Sequence, residues 1–312
     1  MSAIVTGVEL SNGGAHALDR ALLEAHSTGR PVRALHVWSP LVWLSDLSGM
    51  SVEAYALSLS LPADSLHGAQ ERAEEALEAA LKRHRAAMAS GAGAPGPVSA
   101  RADVLEGAPG RVLVEASQQA GLLVVGGRSH GVLTSALIGS TSSYAMHHAA
   151  CPVMIVPISA ITGAVRRIVV GFDDSACSRS ALRWAFDAAE RHGCPLSVVH
   201  ALRITLAPAA LPIALISPAY HAEMQTWLDL QVARVAGDFA GVACTATVRN
   251  GSPAGVLLEE AGEQDLLVVG SRGHGGFVGL LLGSVAGQCS QHARGAVVVV
   301  RAGAERLATD EP

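Results

Sequence analysis

VRNGSPAGVLLEEAGEQDLLVVGSRGHGGFVGLLLGS, residues 248–284, aligns without a gap on VLEGAPGRVLVEASQQAGLLVVGGRSHGVLTSALIGS, residues 104–140, with 17 of 37 positions identical. A match of this length means that one supersecondary plan is used twice. Outward from it, IVTGVELS (4–11) answers IVVGFDDS (168–175), and PVRALHVW (31–38) answers PLSVVHAL (195–202). The offset between halves is 164 there and 144 in the long block, so the first half carries about twenty extra residues within 39–97. The halves join near ISAITGAV, 158–165, which predicts domains at 1–158 and 165–303.

Each half reads β-α-β-α-β-α-β-α-β. In the second half the predicted strands are 167–172, 196–201, 244–249, 266–270 and 296–300. Short, continuous β-branched runs alternating with helices indicate a parallel sheet covered on both faces. Between the first two of these strands, SRSALRWAFDAAERHG sets Ala181, Leu182, Ala185, Phe186 and Ala189 on one helical face and ends at Gly193, a good C-cap. The expected fold class is α/β: two tandem, doubly wound, five-stranded parallel-sheet domains of Rossmann-like form. The fifth strands, 153–157 and 296–300, would be apolar sheet edges by chain order, and such edges invite pairing.

Composition narrows the function classes. The 312 residues carry a net charge of −5, with no clustered Lys and Arg to grip nucleic acid or an anionic membrane. Lys82 is the only lysine, which argues against a P-loop, a Schiff base and a polybasic anchor. Cys151, Cys177, Cys194, Cys244 and Cys289 form no C-x-x-C pair, so neither a zinc site nor a disulfide framework is encoded, and a reducing cytoplasm is expected. The N-terminus lacks the pattern of a signal peptide. The apolar window 206–220 holds Pro208, Pro212 and Pro218 and reads as a loop or lid rather than a membrane span.

In doubly wound sheets ligands bind beyond the carboxyl ends of the strands, where the winding reverses. Two unusual segments fall there in the second half: FDDS after its first strand and GSRGHGG after its fourth. Glycine permits close approach to backbone, Asp173 is an acceptor for ribose or adenine donors, and Gly283-Ser284 opens a helix whose N-terminus favours an anion such as phosphate.

The spacing Gly270-x-x-Gly273, nine residues, then Gly283-Ser284 resembles the ATP-binding signature of the universal stress protein family in its tandem two-domain form. IVVGFDDSACSRSALRWA, the HA after the second strand and NGSPAGVLLEEA extend the resemblance over nearly the whole chain. It implies an adenine nucleotide alpha hydrolase-like fold. It also implies that Gly270, Gly273, Gly283, Ser284 and the Val285 amide wrap ribose and phosphates, that Gly171 and Asp173 border the adenosine, and that Ala201 lies near the base. Magnesium or manganese would accompany the phosphates, with no dedicated ligand set in the sequence.

The first half departs from this pattern. Gly126 and Gly139-Ser140 are kept, but Ser129 stands where the second glycine belongs and Glu9 where the aspartate does. A Cβ at Ser129 and an extra methylene at Glu9 predict a weakened or empty first site. Arg128 and Arg272 recur in both loops and read equally as phosphate contacts or solvated surface arginines. His130 and His274 lack an evident carboxylate or serine partner and read as structural. His36 and His200 read as packed strand-end residues, adjacent His147 and His148 do not share a helical face, and Cys177 reads as a small apolar helix residue.

The expectation is a cytoplasmic, ATP-binding universal stress protein acting as a sensor or regulator in stress or dormancy. It is expected not to be an enzyme beyond slow ATP hydrolysis. The resemblance further implies that the halves meet through their fifth strands and that two chains associate. The alternatives are a nucleotide-independent interaction scaffold and an adenylating enzyme, for which FDDSACS supplies no S-G-G-x-D-S loop.

Overall fold

The computed structural model describes residues 2–8, 14–38, 64–89, 98–127, 138–160, 163–203, 218–274 and 282–303. In the first half β1 (Ala3–Gly7), α1 (Gly14–Thr28), β2 (Val32–Trp38), α2 (Asp64–Ala89), β3 (Ala100–Glu106), α3 (Pro109–Ser117), β4 (Ala120–Gly126), α4 (Ser140–His148) and β5 (Val153–Val156) follow one another. The second half repeats the order with β6 (Ile168–Gly171), α5 (Ala176–His192), β7 (Leu196–Leu202), α6 (Pro218–Ala236), β8 (Cys244–Asn250), α7 (Pro253–Glu260), β9 (Leu266–Gly270), α8 (Ser284–His292) and β10 (Val297–Val300).

Among the described residues ten strands form one sheet, ordered β3-β2-β1-β4-β5-β10-β9-β6-β7-β8. Neighbours within each half run parallel. At the seam β5 meets β10 antiparallel, with Val153 opposite Val299 and Ile155 opposite Val297. The winding reverses between β1 and β4, and again between β6 and β9.

The strands are apolar on both faces because both faces are covered. In β9, Leu266 and Val268 enter one core, shared with α1 and α5, while Leu267 and Val269 enter the other, shared with α4, α7 and α8. Each core crosses the seam, since Met154 and Val298 share the first and Ile155 and Val297 the second. On α5 the five residues set on one face by the periodicity are all buried, Leu182 at 1% exposure and the rest at 0%. Burying Phe186 alone stabilises by about 1.5–3 kcal/mol. Gly193 closes this helix in the left-handed region at φ 60°.

Three strands are shorter than the sequence predicts: β5 stops before Pro157, β10 starts after Ala296, and β6 is trimmed at both ends. β6 loses Arg167 and Phe172: Arg167 turns aside to bond Glu260 and Asp265, and Phe172 begins the bend into the next helix. Helix α2 has 26 residues against 19 in α6, so part of the first-half surplus is helix; 39–63 and 90–97 lie outside the described residues. The apolar stretch 204–217 also lies outside them, and Pro218 starts α6. Among the described residues no helix is long and apolar enough to cross a membrane.

Side chains reinforce the seam. Glu24 on α1 is 1% exposed and accepts from Arg20 at 2.7 Å and from His192 of the second half at 3.1 Å. Burial pushes its carboxyl up, but Arg20 and His192 outweigh that and hold it at about 2. Arg301, just past β10, donates to the Met146 carbonyl of α4 at 2.9 Å. At the far edge of the sheet, Gln225 of α6 donates to the Ala246 carbonyl at 3.0 Å and accepts from the Val248 amide at 2.9 Å. A primary amide thereby takes the place of an eleventh strand along β8. Asp229 accepts the other Gln225 amide proton at 2.9 Å, which fixes which way the amide faces.

Candidate functional site

β6 lies between β7 and β9, so the segments that leave these three strands at their carboxyl ends crowd together. They enclose a cleft of about 490 Å³. Two other cavities, lined by residues of both halves, hold about 20 and 10 Å³. Only the first has the size of a small-molecule site.

Gly171, Asp173, Ala201, Gly270, Gly273, Gly283, Ser284 and Val285 all line this cleft. The structure brings together every second-half residue that the resemblance places at the nucleotide. Residues not foreseen complete the lining: Phe172, Val199, Pro253, Leu257 and Val269 form apolar walls, and Arg203 stands at the end of β7. Phe172 and Val199 were legible only as strand apolars. Arg203 follows β7 with no motif to mark it.

Asp173 is the hub. Its Oδ1 accepts the Ser175 amide at 3.1 Å, and its Oδ2 accepts the His274 amide at 3.0 Å from across the cleft. Burial pushes its carboxyl up, but hydrogen bonds from Ser175, Ser178 and His274 prevail and hold it below the usual carboxylate value. Capping of α5 falls to Ser175, which accepts the Ser178 amide at 3.2 Å and donates to the Arg272 carbonyl at 3.2 Å. Asp173 is thus left facing the cleft, its side chain 40% exposed. Between them Asp174 sits in the left-handed region at φ 62°, a conformation that aspartate tolerates better than most residues.

The glycines have reasons within the protein as well as toward a ligand. A Cβ on Gly270 would lie 2.9 Å from backbone atoms of Cys177 and Ser178, so its absence lets the first turn of α5 close on β9. A Cβ on Gly273 would collide with Asp173 Oδ2. Gly273 and Asp173 therefore form one unit, tying the glycine loop to the turn after β6. A Cβ on Gly171 would come within 2.7 Å of Leu257.

Gly283 is the N-cap of α8, and no side chain caps that helix. The first-turn amides of Ser284, Val285 and Ala286 therefore have no intrahelical acceptor, and all three residues line the cleft beside the Ser284 hydroxyl. Arg272 and His274 line it too, with His274 Nδ1 at 4.0 Å from Asp173 Oδ2. A helix N-terminus next to Arg203 and Arg272 suits an anionic group, while the apolar walls suit a flat ring. His200 uses Nδ1 to reach the Phe172 carbonyl at 2.8 Å and stands edge-on to Trp227 at 5.1 Å, as a packed strand-end residue.

In the first half, Gly126 ends β4, and Gly139-Ser140 open α4 as Gly283-Ser284 open α8, again with no side-chain cap. His36 bonds the Val8 carbonyl at 3.0 Å, matching His200. Glu9 and the loop residues Arg128, Ser129 and His130 lie outside the described residues. Among the described residues no group of three or more His, Cys, Asp or Glu is placed to hold a metal ion.

A doubly wound unit present twice, with a glycine-walled crevice where the winding of the second copy reverses, defines a tandem α/β protein whose cleft lies at its strand ends. The sequence model of the universal stress protein family matches residues 1–157 and again 164–301, so the chain belongs to that family. It is 32% identical over 303 residues to a universal stress protein of Mycolicibacterium smegmatis, covering 96% of each chain. It is 30% identical over 304 residues to one from Mycobacterium tuberculosis, also over 96% of each. The crystal structure of a universal stress protein from Archaeoglobus fulgidus superposes with a TM-score of 0.63 at 19% identity over 97% of each chain, a likeness of fold.

Proposed function

We propose that the second half binds an adenine nucleotide, ATP, and that the protein is a nucleotide-dependent sensor or regulator rather than an enzyme. The observation that carries this is the single cleft of about 490 Å³ in which an uncapped helix N-terminus, two arginines and an apolar slot face one another. Phosphates would lie against the first turn of α8 and Arg272, with ribose at Asp173 and the base between Ala201, Val199 and Leu257. Among the described residues the lining holds no lysine, and the Asp173 carboxylate is engaged by backbone amides, which favours slow turnover or none. Asp173 is the one carboxylate lining the cleft among the described residues, and both its oxygens already accept amide protons. Among the described residues no ligand set for magnesium or manganese is present, and no metal enters the proposal.

Denaturing the purified protein and separating what it releases tests this reading, with titration calorimetry on stripped protein beside it. Adenine nucleotide should be released or bound, and Gly273→Ala should abolish or sharply weaken uptake. No adenine nucleotide by either route would overturn the proposal. ATP turnover faster than about 1 per second would overturn the regulator half of it, since that is the range of ordinary enzymes. The first half fits a nucleotide-independent contact role better, because Leu10 and Ser129 stand where the second half has Asp174 and Gly273.

A further inference from the structure

We propose that Arg301 couples occupancy of the second-half cleft to helix α4 of the first half, so that an anionic ligand facing Arg272 strengthens the seam. This rests on the nucleotide reading above. A hydrogen-bonded path leads from the cleft to the seam. Gly283, the N-cap of α8, donates to the Ser271 carbonyl at 2.7 Å, and Ser271 donates to the Val300 carbonyl at 2.7 Å. The next residue is Arg301, whose Nη2 reaches the Met146 carbonyl at 2.9 Å.

The first half builds the same ladder, with Gly139 donating to Gly127 at 3.2 Å and Gly127 to Val156 at 2.8 Å. There it ends at Pro157, the counterpart of Arg301. Proline has no long donor to extend, so among the described residues the reach into the other half's last helix is made by Arg301 alone, while Ser159 donates to the Arg294 carbonyl beyond the end of α8 at 3.1 Å.

Charge supplies the reason for a response. Arg272 lines the cleft and has no acidic partner among the described residues, and the half-buried Arg301 likewise bonds a carbonyl rather than a carboxylate. Burial and the neighbouring Arg272 both disfavour the charged form of Arg301. A phosphate opposite Arg272 neutralises that repulsion, and only such a differential interaction lets a ligand shift an equilibrium. Arg301 is then freer to hold α4, and by linkage a held α4 favours the ligand equally.

Hydrogen exchange of the full chain, read on peptides spanning Ser140–His148 with and without ATP, tests the coupling; calorimetry on the same preparations reports uptake. ATP should slow exchange in α4 by about fivefold or more, the low end of ordinary coupling. In Arg301→Met, ATP should still bind while α4 no longer responds, and Arg301→Lys, which keeps a donor, should restore part of the response. Arg272→Met should slow α4 exchange with no ATP present. An equal α4 response in Arg301→Met, or none in the unaltered protein with ATP bound, overturns the coupling. Absence of ATP uptake overturns the nucleotide reading instead, and the ligand-free Arg272→Met arm still decides: unchanged α4 exchange there overturns the coupling.

Discussion

The segment that follows β6 and its sequence counterpart after β1 are matched in two copies of one plan, yet VELS stands in the first where FDDS stands in the second. In FDDS each polar residue has a separate task. Asp173 ties down the glycine loop, Asp174 takes the left-handed conformation, and Ser175 caps α5. In VELS only the serine is kept. Leu10 is matched in sequence to Asp174, and a leucine placed in the Asp174 conformation costs about 1–2 kcal/mol. Elsewhere the copies agree closely: Gly107 and Gly251 have φ of 145° and 146°, and Gly139 and Gly283 both cap helices without side-chain help. Duplication has preserved the scaffold of both halves and the full cleft residue set of one.

The largest effect should come from separating the copies. Glu24→Ala removes the acid between Arg20 and His192 and leaves Arg20 buried without its counter-charge, which costs about 3–5 kcal/mol in denaturant unfolding. The same carboxylate predicts acid lability. Its folded value of about 2 lies below the ordinary 4.5, so its stabilisation is complete above pH 4.5 and is lost as pH falls through about 2. Glu24→Gln should flatten that part of the stability profile.

Making the second site resemble the first should come next. Gly273→Ser puts a Cβ into Asp173 Oδ2, and an overpacked contact of about 1–3 kcal/mol corresponds to roughly ten- to hundredfold weaker ATP binding by calorimetry. The reverse exchange in the first half, Ser129→Gly with Glu9→Asp, should create weak uptake only if Leu10→Asp is added. Asp174→Leu tests that turn directly: about 1–2 kcal/mol should be lost, while Asp174→Gly stays within about 0.5 kcal/mol of the parent. The smallest change should follow Gln225→Ala, which bares the β8 edge at about 1 kcal/mol and should promote association in concentrated samples, read by light scattering.

Periodicity carried the architecture far. The apolar face of α5, its stop at Gly193, and the alternation of strands with helices are all local patterns. The cleft was legible for a related reason: its residues cluster at strand ends, and a doubly wound sheet gathers those ends in one place. What periodicity could not supply were partners far apart in the chain. Glu24 meets His192 across 168 positions and Arg301 meets Met146 across 155, and no local pattern announces either pair. The reason for Gly273 was hidden for the same cause, since the atom it avoids belongs to Asp173 on another loop.

The antiparallel seam of β5 and β10 has a consequence for any cell that uses this protein. Because all strands of one copy run against those of the other, the carboxyl-end rims of the two copies open toward opposite poles of the sheet. One small molecule therefore cannot bridge the two rims. A macromolecule docked at the first pole would leave the second open to the surrounding solution.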